Sequence, residues 1–354
     1  MSDTDFIVVG QGLAGSVLSL KLIEQGFSVK VIDKPELSSC SKIAAGIWNP
    51  VVFKRLTKSW MVDDLLPEML KFYRGAETKL NSKFITERNI LKIFSEQQEA
   101  DLWQVKSSFE LKNYLLNEVL SENNFKHVKK TAYGHSKVLQ AGNLDVSVFL
   151  NATKDFLAAN DSLINEVFDH SALKAGEIIT YKNVSAKRIV FADGYLVKNN
   201  PYFNYLPFKP AKGEVLTVEM NDLNTGNNII NKNAFLLPLA KGLYKAGATY
   251  NWEDLSENTT GDALKELLSK LEKIADCEIK VLAQEAGIRP SVLDRRPVIG
   301  PHPKHNNMYL FNGFGTKGVM LAPYFAGHLI NHVKDGKAIS KDVCLSRFNH
   351  FFVN

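Results

Sequence analysis

The chain has 354 residues, of which 45% are hydrophobic and 23% charged, and it contains 21 Phe and 11 Tyr. This composition excludes an intrinsically disordered chain, and the length predicts one large domain or two interleaved domains. The formal net charge of +5 is small for this length, so charge alone does not indicate a nucleic-acid-binding protein. The three cysteines are widely spaced, which excludes a disulfide framework, and no apolar run is long enough to span a membrane. The first predicted strand begins too early for a signal peptide, so we expect a cytoplasmic protein with no membrane partner.

The first predicted elements form a strand, a glycine-rich turn and a helix. Residues 6–9 are a continuous apolar run, which is typical of a strand buried on both faces of a parallel sheet. The sequence GQGLAG follows at residues 10–15, and an apolar pattern with helical spacing then continues to Gly26. A second predicted strand at 28–32 ends in Asp33, 18 residues after the last glycine of the motif. A GxGxxG motif in this context predicts a dinucleotide-binding unit.

The residues of this unit have distinct predicted roles. Gly10 permits the tight turn, Gly12 lets a pyrophosphate approach the backbone, and Gly15 lets the helix pack closely on the strand. The helix N-terminus then faces the phosphates. Asp33 can accept hydrogen bonds from ribose hydroxyls, and its charge disfavours the 2′-phosphate of NADP. The predicted cofactor contacts in this unit are Gly10, Gly12, Leu13, Ala14, Gly15, Asp33 and Lys34.

A second match to the glycine pattern lies at residues 313–318, directly after a predicted strand at 308–311. A helix is predicted over 318–333, but no further strand ending in an acid follows, so this unit is incomplete as a nucleotide site. The loop is therefore predicted to bring a helix N-terminus to another electron-rich group, for which the pyrimidine edge of a flavin is the natural candidate. Another helix is predicted over 263–275 from its apolar spacing.

Three blocks carry a resemblance to a known family. They are the N-terminal glycine motif, the sequence SKIAAGIWNP at 41–50, and the segment from AGIRP at 286–290 to Pro323. Weaker matches at 212–214 and 247–249 extend the similarity over most of the chain. On these residues the chain resembles the D-amino-acid oxidase and glycine oxidase family of flavoproteins.

The resemblance implies an α/β fold with two interleaved domains. One is a Rossmann-type, glutathione-reductase-like FAD-binding domain with a parallel central sheet, and the other is a substrate domain built on a mixed, largely antiparallel sheet. The expected FAD-binding domain comprises residues 1–80, 141–202 and 286–354, and the expected substrate domain comprises 81–140 and 203–285. None of the cysteines lies in the flavin-proximal block at 286–323, so FAD is expected to be bound non-covalently.

The resemblance also implies a set of FAD contacts. In this family the segment resembling 41–49 runs from the pyrophosphate to the isoalloxazine ring, and a strand resembling 165–168 contacts the adenine. Residues 192–194 resemble a turn of small residues beside the cofactor, from which Asp193 departs. The contacts implied in this chain are Ser41, Lys42, Ala45, Gly46, Ile47, Val167, Ala192, Asp193, Gly194, Gly313, Gly315, Thr316, Lys317 and Gly318.

Arg289 lies where family members place an arginine that forks onto the carboxylate of the substrate. A guanidinium offers two parallel donors and stays charged, which suits that task. The alternative is a structural ion pair with Asp294 or Glu285. Lys317 resembles the position of a second cationic contact.

Two aromatic positions are further candidates for the catalytic site. Trp48 is expected near the flavin ring, with a core aromatic as the alternative. Tyr244 and Tyr250 flank a predicted strand, and either one is a candidate for the pocket, with packing as the alternative. Tyr250 is the one we predict to contact substrate. His328 and His332 have the spacing of metal ligands, but no acid or thiol motif completes a site, so no metal is predicted.

The resemblance implies oxidation of a small amine or amino acid by hydride transfer to flavin N5, giving an imine that is hydrolysed. Oxygen or an electron carrier would accept the electrons, and the sequence indicates no oligomeric state. One alternative is removal of a carboxymethyl group from a modified wobble uridine of tRNA, the only reading with a nucleic-acid partner. It predicts that Lys54, Arg55, Lys58 and the basic residues at 126–130 converge on one rim of the pocket. Another alternative, a flavin-binding protein without amine chemistry, predicts a filled or absent pocket beside Arg289.

Overall fold

A computed structural model of the chain describes residues 2–34, 40–121 and 125–352. The helices are α1 Leu13–Glu24, α2 Cys40–Ile43, α3 Val62–Leu80, α4 Gln97–Ser108, α5 Val146–Ala159, α6 Gly261–Leu271 and α7 Gly318–Asp335. The strands are β1 Ser2–Val9, β2 Val29–Asp33, β3 Ile47–Trp48, β4 Val51–Val52, β5 Thr57–Lys58, β6 Ile85–Glu87, β7 Ile90–Ile93, β8 His135–Val138, β9 Gly142–Leu144, β10 Leu163–Asn165, β11 Leu173–Lys174, β12 Ile179–Tyr181, β13 Val184–Phe191, β14 Ala211–Glu219, β15 Ile229–Asn231, β16 Phe235–Ala240, β17 Leu243–Gly247, β18 Lys280–Arg289, β19 Val298–Pro301 and β20 Met308–Asn312.

The first sheet has a parallel centre in the spatial order β10, β2, β1, β13, β20. The beginning of β13 also pairs with β12 in an antiparallel direction, and β11 continues that edge, while β19 pairs antiparallel with β20. This arrangement confirms the parallel central sheet predicted from the sequence.

Burial on both faces explains the apolar sequence of β1. Phe6 and Val8 belong to the large hydrophobic core that includes α1 and α7, whereas Ile7 and Val9 belong to a second core on the opposite face. All four side chains are at most 5% exposed. Because both faces of β1 are buried, every side chain of the strand is in an apolar environment, and the apolar run is therefore continuous.

The second sheet has the order β18, β14, β17, β16, β15, β7, β8. Its neighbouring strands are antiparallel except for the parallel pair of β15 and β7, so the prediction of a mixed, largely antiparallel sheet is confirmed. Helix α6 packs on β14 and β17 through a face that buries Leu267 and Leu271. Smaller sheets join β3, β9 and β6, and pair β4 with β5.

Two predicted elements end elsewhere in the structure. The helix predicted over 263–275 ends at Leu271, because Ala275 forms a β-bridge with Val128 that draws the chain out of the helix. The strand predicted over 165–168 is β10, which ends at Asn165. The amide of Glu166 donates to Asp33 O and Ile164 O, both at 3.1 Å, and this turn ends the strand.

The first sheet takes strands from the beginning, middle and end of the chain, and the second takes most of its strands from the segments between. Strand β18 crosses the predicted boundary at residue 285 and ends at Arg289. We propose that the two sheets are the centres of the two interleaved domains predicted from the sequence.

Candidate functional site

A cavity of about 1930 Å³ is lined by residues of both sheets. Drug-sized ligands occupy pockets of roughly 300–1,000 Å³, so this cavity has room for a dinucleotide and a small substrate together. Most of the predicted site residues line it, namely Gly10, Gly12, Leu13, Ala14, Asp33, Lys34, Ser41, Lys42, Ala45, Gly46, Ile47, Val167, Ala192, Asp193, Gly194, Tyr250, Arg289, Gly315, Thr316 and Gly318. Gly15, Trp48, Gly313 and Lys317 are not among the lining residues.

The glycine motif forms a cradle that side chains would fill. Gly10 has φ +99°, and a Cβ there would lie 2.6 Å from the carbonyl oxygen of Ala192. A Cβ on Gly15 would lie 1.8 Å from the carbonyl oxygen of Gly10, so this glycine acts behind the cavity surface by letting α1 approach β1. Because β1, α1 and β13 approach one another closely, backbone atoms without side chains form this part of the cavity wall, as binding of a pyrophosphate requires.

The N-terminus of α1 opens into the cavity next to an acid. Gly12 is its N-cap and supplies no side-chain cap. The amide of Leu13 donates to Ser41 Oγ at 3.1 Å, and the amide of Gln11 donates to Asp33 Oδ1 at 3.0 Å. The unsatisfied amides of a helix N-terminus attract anions, while Asp33 suits ribose hydroxyls, so the donor set fits an adenine dinucleotide.

His170, which no sequence pattern singled out, lines the cavity together with Val167. Its ring lies 5.1 Å from the ring of Phe168, and its Nε2 is buried without a hydrogen-bond partner among the described residues. Buried polar atoms normally have partners, so an unsatisfied nitrogen at a cavity wall fits a ligand polar group such as an adenine edge. The unpaired nitrogen that identifies this residue is visible only in the structure, so the sequence alone could not have identified it.

Asp193, the departure noted in the sequence, connects two walls of the cavity. Its Oδ1 accepts from Asn312 Nδ2 at 2.9 Å and its Oδ2 accepts from Asn200 Nδ2 at 3.1 Å. Burial raises the pKa of Asp193 from 3.8 to about 6. Asn312 is the last residue of β20, so the acid ties the end of β13 to the loop that leads into α7.

We predict that FAD affinity of the apoprotein weakens as pH rises through about 6. Because the folded-state pKa of Asp193 lies above its unfolded value of 3.8, the neutral acid dominates below about 6 and the carboxylate above it. The carboxylate repels an anionic pyrophosphate, which weakens binding. Over the same rise in pH, the contribution of Asp193 to the free energy of unfolding is lost. Fluorescence titration of FAD should show weakening of roughly three- to tenfold between about pH 5 and pH 8. Asp193→Asn should flatten this dependence, and an equal pH slope in both proteins would contradict the prediction.

The segment predicted to run beside the flavin follows the cavity wall. Gly46 has φ +65°, and a Cβ there would lie 1.9 Å from the carbonyl oxygen of Leu144. Gly315 has φ +54° in the loop that precedes α7. The N-terminal residue of α7, Gly318, lines the same cavity, so this helix N-terminus is available to a group with developing negative charge.

Arg289 lies at the cavity wall and is held by backbone oxygens. Its Nη1 donates to the carbonyl oxygens of Lys212 at 3.2 Å and Thr249 at 3.3 Å. The guanidinium carbon lies 4.3 Å from the ring centroid of Tyr250. Among the described residues it has no carboxylate partner, and the alternative ion pairs are not formed: Asp294 pairs with Arg347 at 2.9 Å and Glu285 with Lys245 at 3.6 Å.

The space for this guanidinium depends on Gly213, which lies opposite Gly287 in the pairing of β14 with β18. A Cβ on Gly213 would lie 1.8 Å from Arg289 Nη2. Gly213 lies in the weaker family match at 212–214, which implied no role for it. The signal that identifies its role is the register of two strands that are distant in sequence.

The loop that carries Tyr250 is held by an ion pair of a buried lysine, which the sequence did not reveal. Lys212 is 1% exposed, and its Nζ pairs with Asp254, whose pKa this contact lowers to about 2. The backbone of Lys212 pairs with Asn251, directly beyond Tyr250. Tyr250 is 53% exposed and stacks on Trp252, with ring centroids 5.9 Å apart. The tyrosine therefore forms part of the rim over Arg289.

Three of the residues predicted to contact cofactor or substrate lie off the cavity lining. Trp48 is 1% exposed, and its Nε1 donates to Gln140 O at 3.0 Å. It packs in the hydrophobic core, which agrees with the alternative interpretation of Trp48 as a core aromatic. Lys317 Nζ donates to Ser59 Oγ at 3.0 Å away from the cavity lining, and burial lowers its pKa. Gly313, with φ +80°, also lies off the lining and serves the turn after β20.

Tyr244, the second tyrosine candidate, is buried on β17 and does not line the cavity. Its hydroxyl donates to Leu223 O at 2.9 Å, so it has a packing role. In residues 2–34, 40–121 and 125–352, no cluster of three or more His, Cys, Asp or Glu is arranged to hold a metal ion. Over the same ranges, no helix has both the length and the apolar character needed to cross a membrane.

The parallel sheet, the glycine cradle and the acid at the end of β2 define a dinucleotide-binding enzyme of the Rossmann class. The family model of FAD dependent oxidoreductases matches residues 5–332, and the chain therefore belongs to the FAD dependent oxidoreductase (DAO) family. The resemblance drawn from the sequence is confirmed, and with it the assignment as an FAD-using oxidoreductase.

The similar proteins include enzymes with different substrates. The glycine oxidase of Bacillus subtilis is 24% identical over 95% of this chain and 94% of its own length. The bifunctional tRNA 5-methylaminomethyl-2-thiouridine biosynthesis protein MnmC of Marinobacter nauticus is 22% identical over 92% of this chain, which spans 55% of that protein. The crystal structure of glycine oxidase from Geobacillus kaustophilus superposes with a TM-score of 0.77 at 18% identity, covering 98% of both chains. At these identities the structural match shows the shared fold.

Proposed function

We propose that the protein oxidises a small amine or amino acid that carries a carboxylate. The observation that carries this proposal is the guanidinium of Arg289, which faces the cavity with no carboxylate partner among the described residues. A charge that is held in place but not neutralised is suited to an anionic ligand. The similarity to glycine oxidase supports the same substrate class.

The chemistry that FAD supplies in this proposal is acceptance of a hydride at N5 from the carbon next to a neutral amine, which leaves an imine that water hydrolyses. Arg289 binds the carboxylate and so fixes the orientation of that carbon. Tyr250 covers the guanidinium and limits access of water to it. The backbone of Gly315, Thr316 and Gly318, at the start of α7, stabilises negative charge that develops at the cofactor edge. No protein acid or base is required for this division of roles.

The proposal is tested by anaerobic titration of the FAD-loaded protein with glycine, sarcosine, D-amino acids and L-proline, followed by flavin absorbance. Bleaching by a carboxylated amine, and not by its decarboxylated analogue, is the expected result. Repeating the titration in air tests whether oxygen or an electron carrier is the acceptor. A yellow protein that no carboxylated amine reduces would overturn the proposal.

We predict that Gly213→Ala impairs turnover without loss of FAD. The added Cβ would lie 1.8 Å from Arg289 Nη2, and a flexible guanidinium can move aside while the strands stay in place. Displacement of a substrate-orienting group by about 1 Å costs on the order of 100-fold in rate. Gly176→Ala is the control, because the nearest atom to its Cβ is 3.5 Å away. Equal kcat/KM in the two variants would show that Arg289 does not orient the substrate.

A second candidate is oxidation of a modified wobble uridine in tRNA, which the similarity to MnmC favours. Its predicted basic rim forms only in part: Lys54 lines the cavity, whereas Lys58 pairs with Asp63 at 2.7 Å and Lys126 with Asp222 at 3.4 Å. Flavin bleaching by tRNA that carries the modification, and not by free amino acids, would favour this candidate. The third candidate expected a filled pocket beside Arg289, and the cavity instead reaches this residue.

A further inference from the structure

One residue lies behind both of the groups that form the proposed carboxylate site. Lys212 belongs to β14, and its side chain is 1% exposed. Its carbonyl oxygen accepts from Arg289 Nη1 at 3.2 Å and from the backbone amide of Asn251 at 3.0 Å. Asn251 directly follows Tyr250, whose ring lies over the guanidinium. A single carbonyl oxygen, through its two lone pairs, therefore connects the arginine to the segment that carries the tyrosine.

The segment that follows Tyr250 is a turn whose two ends are bound to the same lysine. The amide of Lys212 donates to Asn251 O at 2.8 Å, which completes the backbone pair of these two residues. Oδ1 of Asn251 accepts from the amide of Asp254 at 3.0 Å and so closes the turn locally. Oδ2 of Asp254 accepts from Lys212 Nζ at 2.5 Å. The backbone of Lys212 thus holds one end of the turn, and its side chain holds the other.

Asp254 is the acid on which the buried lysine depends. Burial of an ammonium group is unfavourable unless the group is paired with an acid. A second acid, Glu214, lies 3.8 Å from Lys212 Nζ. Its carboxylate already accepts from the amide and the hydroxyl of Thr260, at 3.0 and 2.9 Å, and from Gln284 Nε2 at 2.7 Å. Because these neutral donors occupy Glu214, the direct partner of the Lys212 ammonium is Asp254.

The position of Tyr250 affects how strongly Arg289 binds a carboxylate. The tyrosine ring lies 4.3 Å from the guanidinium carbon, so it fixes the plane of the fork and excludes water from one face. An ion pair becomes stronger where water is excluded. We propose that Lys212 is a positioning residue for the substrate carboxylate: its carbonyl oxygen orients Arg289, and its ion pair with Asp254 keeps Tyr250 over the guanidinium. This role rests on the proposed function, whereas carboxylate binding itself can be measured without turnover.

Three variants test the ion pair. Asp254→Asn removes the charge and leaves the backbone contact of Lys212 with Arg289 in place. Asp254→Glu keeps the charge, and because the Asp254 side chain is 35% exposed, the longer acid has room to adjust. Glu253→Gln is the matched control, because Glu253 is exposed in the same turn and its side chain pairs with no cation in the described part of the chain.

The first measurement is binding of acetate, the simplest carboxylate of this kind, to the FAD-loaded protein by isothermal calorimetry. We expect Asp254→Asn to raise the dissociation constant roughly three- to tenfold, Asp254→Glu to restore most of the affinity, and Glu253→Gln to change it by less than about twofold. With a carboxylated amine, Asp254→Asn should raise KM and leave kcat and the FAD content close to wild type. A merely structural role would instead lower the melting temperature or the FAD content and leave KM unchanged.

The second measurement is a double-mutant cycle of acetate binding with Tyr250→Ala. If the ion pair acts through the tyrosine, Asp254→Asn should change the dissociation constant by less than about twofold once Tyr250 is alanine. Fully additive losses of affinity would show that the ion pair does not act through Tyr250 and would overturn the proposed role. Lys212→Met keeps the carbonyl group and loses the ammonium, so it should match Asp254→Asn in acetate affinity. If Lys212→Met fails to fold, the cycle with Asp254→Asn decides.

The outcomes separate this role from the proposed function. If acetate affinity depends on Asp254 through Tyr250 but no amine reduces the flavin, the positioning role stands and the amine oxidation fails. If carboxylated amines reduce the flavin but Asp254→Asn matches Glu253→Gln in acetate affinity and in KM, the positioning role is overturned and the amine oxidation stands. Absence of acetate binding to the wild-type protein would also overturn the positioning role, because Arg289 would then offer no carboxylate site.

Discussion

Replacement of Arg289 by alanine is expected to lower kcat/KM for the carboxylated amine by roughly 30- to 5,000-fold while leaving the FAD content unchanged. The guanidinium is already positioned by the carbonyl oxygens of Lys212 and Thr249, at 3.2 and 3.3 Å, so little ordering remains when the carboxylate arrives. Removal of a forked, charge-assisted contact costs about 2–5 kcal/mol, which is the origin of this range. The measurement is stopped-flow bleaching of the flavin under anaerobic conditions.

Arg289→Lys is the matched control, because it keeps the charge and loses the fork. Its kcat/KM should fall between those of wild type and alanine, since a lysine contacts a carboxylate as a point charge. Amines without a carboxylate provide a second control, because they should leave the flavin oxidised in all three proteins alike. If Arg289→Ala had the same kcat/KM as wild type for the carboxylated amine, the proposed function would lose its main support.

Replacement of Gly15 by alanine is expected to yield a colourless protein, with FAD affinity reduced by at least about 100-fold. The new Cβ would lie 1.8 Å from the carbonyl oxygen of Gly10, a backbone atom that has no side-chain freedom to move aside. Helix α1 must then shift away from β1, which opens the cradle that the pyrophosphate needs. The checks are the ratio of flavin to protein absorbance after purification and fluorescence titration of added FAD.

Gly75→Ala is the control for this substitution. Gly75 lies inside α3, and a Cβ there would meet nothing within 4 Å. This variant should bind FAD normally and gain about 0.5–1 kcal/mol in free energy of unfolding, because alanine favours a helix interior. Wild-type FAD affinity in Gly15→Ala, measured beside this control, would falsify the role assigned to the close packing of α1 on β1.

The local elements of the nucleotide unit were predictable from the sequence. The apolar run of β1, the glycines after it and the acid at the end of β2 are all read within about 30 residues, where periodicity and turn chemistry act directly. The predicted helix at 318–333 is α7, Gly318–Asp335, for the same reason. Such features depend on residues that are close in sequence, and contacts with distant segments are not needed to predict them.

The surroundings of Arg289 were not predictable in this way. Its fit depends on the register that sets Gly213 opposite Gly287 and on Tyr250 reaching over from beyond β17. Pairing between distant strands is set by packing of whole sheets, which one sequence does not specify. Trp48 shows the same limit, because an aromatic residue in a matching motif faces either the cavity or the core, and the contact with Gln140 O fixes it in the core.

The way the first sheet is assembled has a consequence for the synthesis of the protein. Strand β13 ends at Phe191 and completes its parallel pairing only when β20, which begins at Met308, has been synthesised. At translation rates of about 5–20 residues per second, the early strands wait on the order of tens of seconds for this partner. During that interval an apolar edge stays unpaired and open to chaperones or aggregation. We therefore expect a nascent chain that still lacks β20 to retain no flavin, and cofactor supply after β20 has paired to influence how much protein reaches the native state.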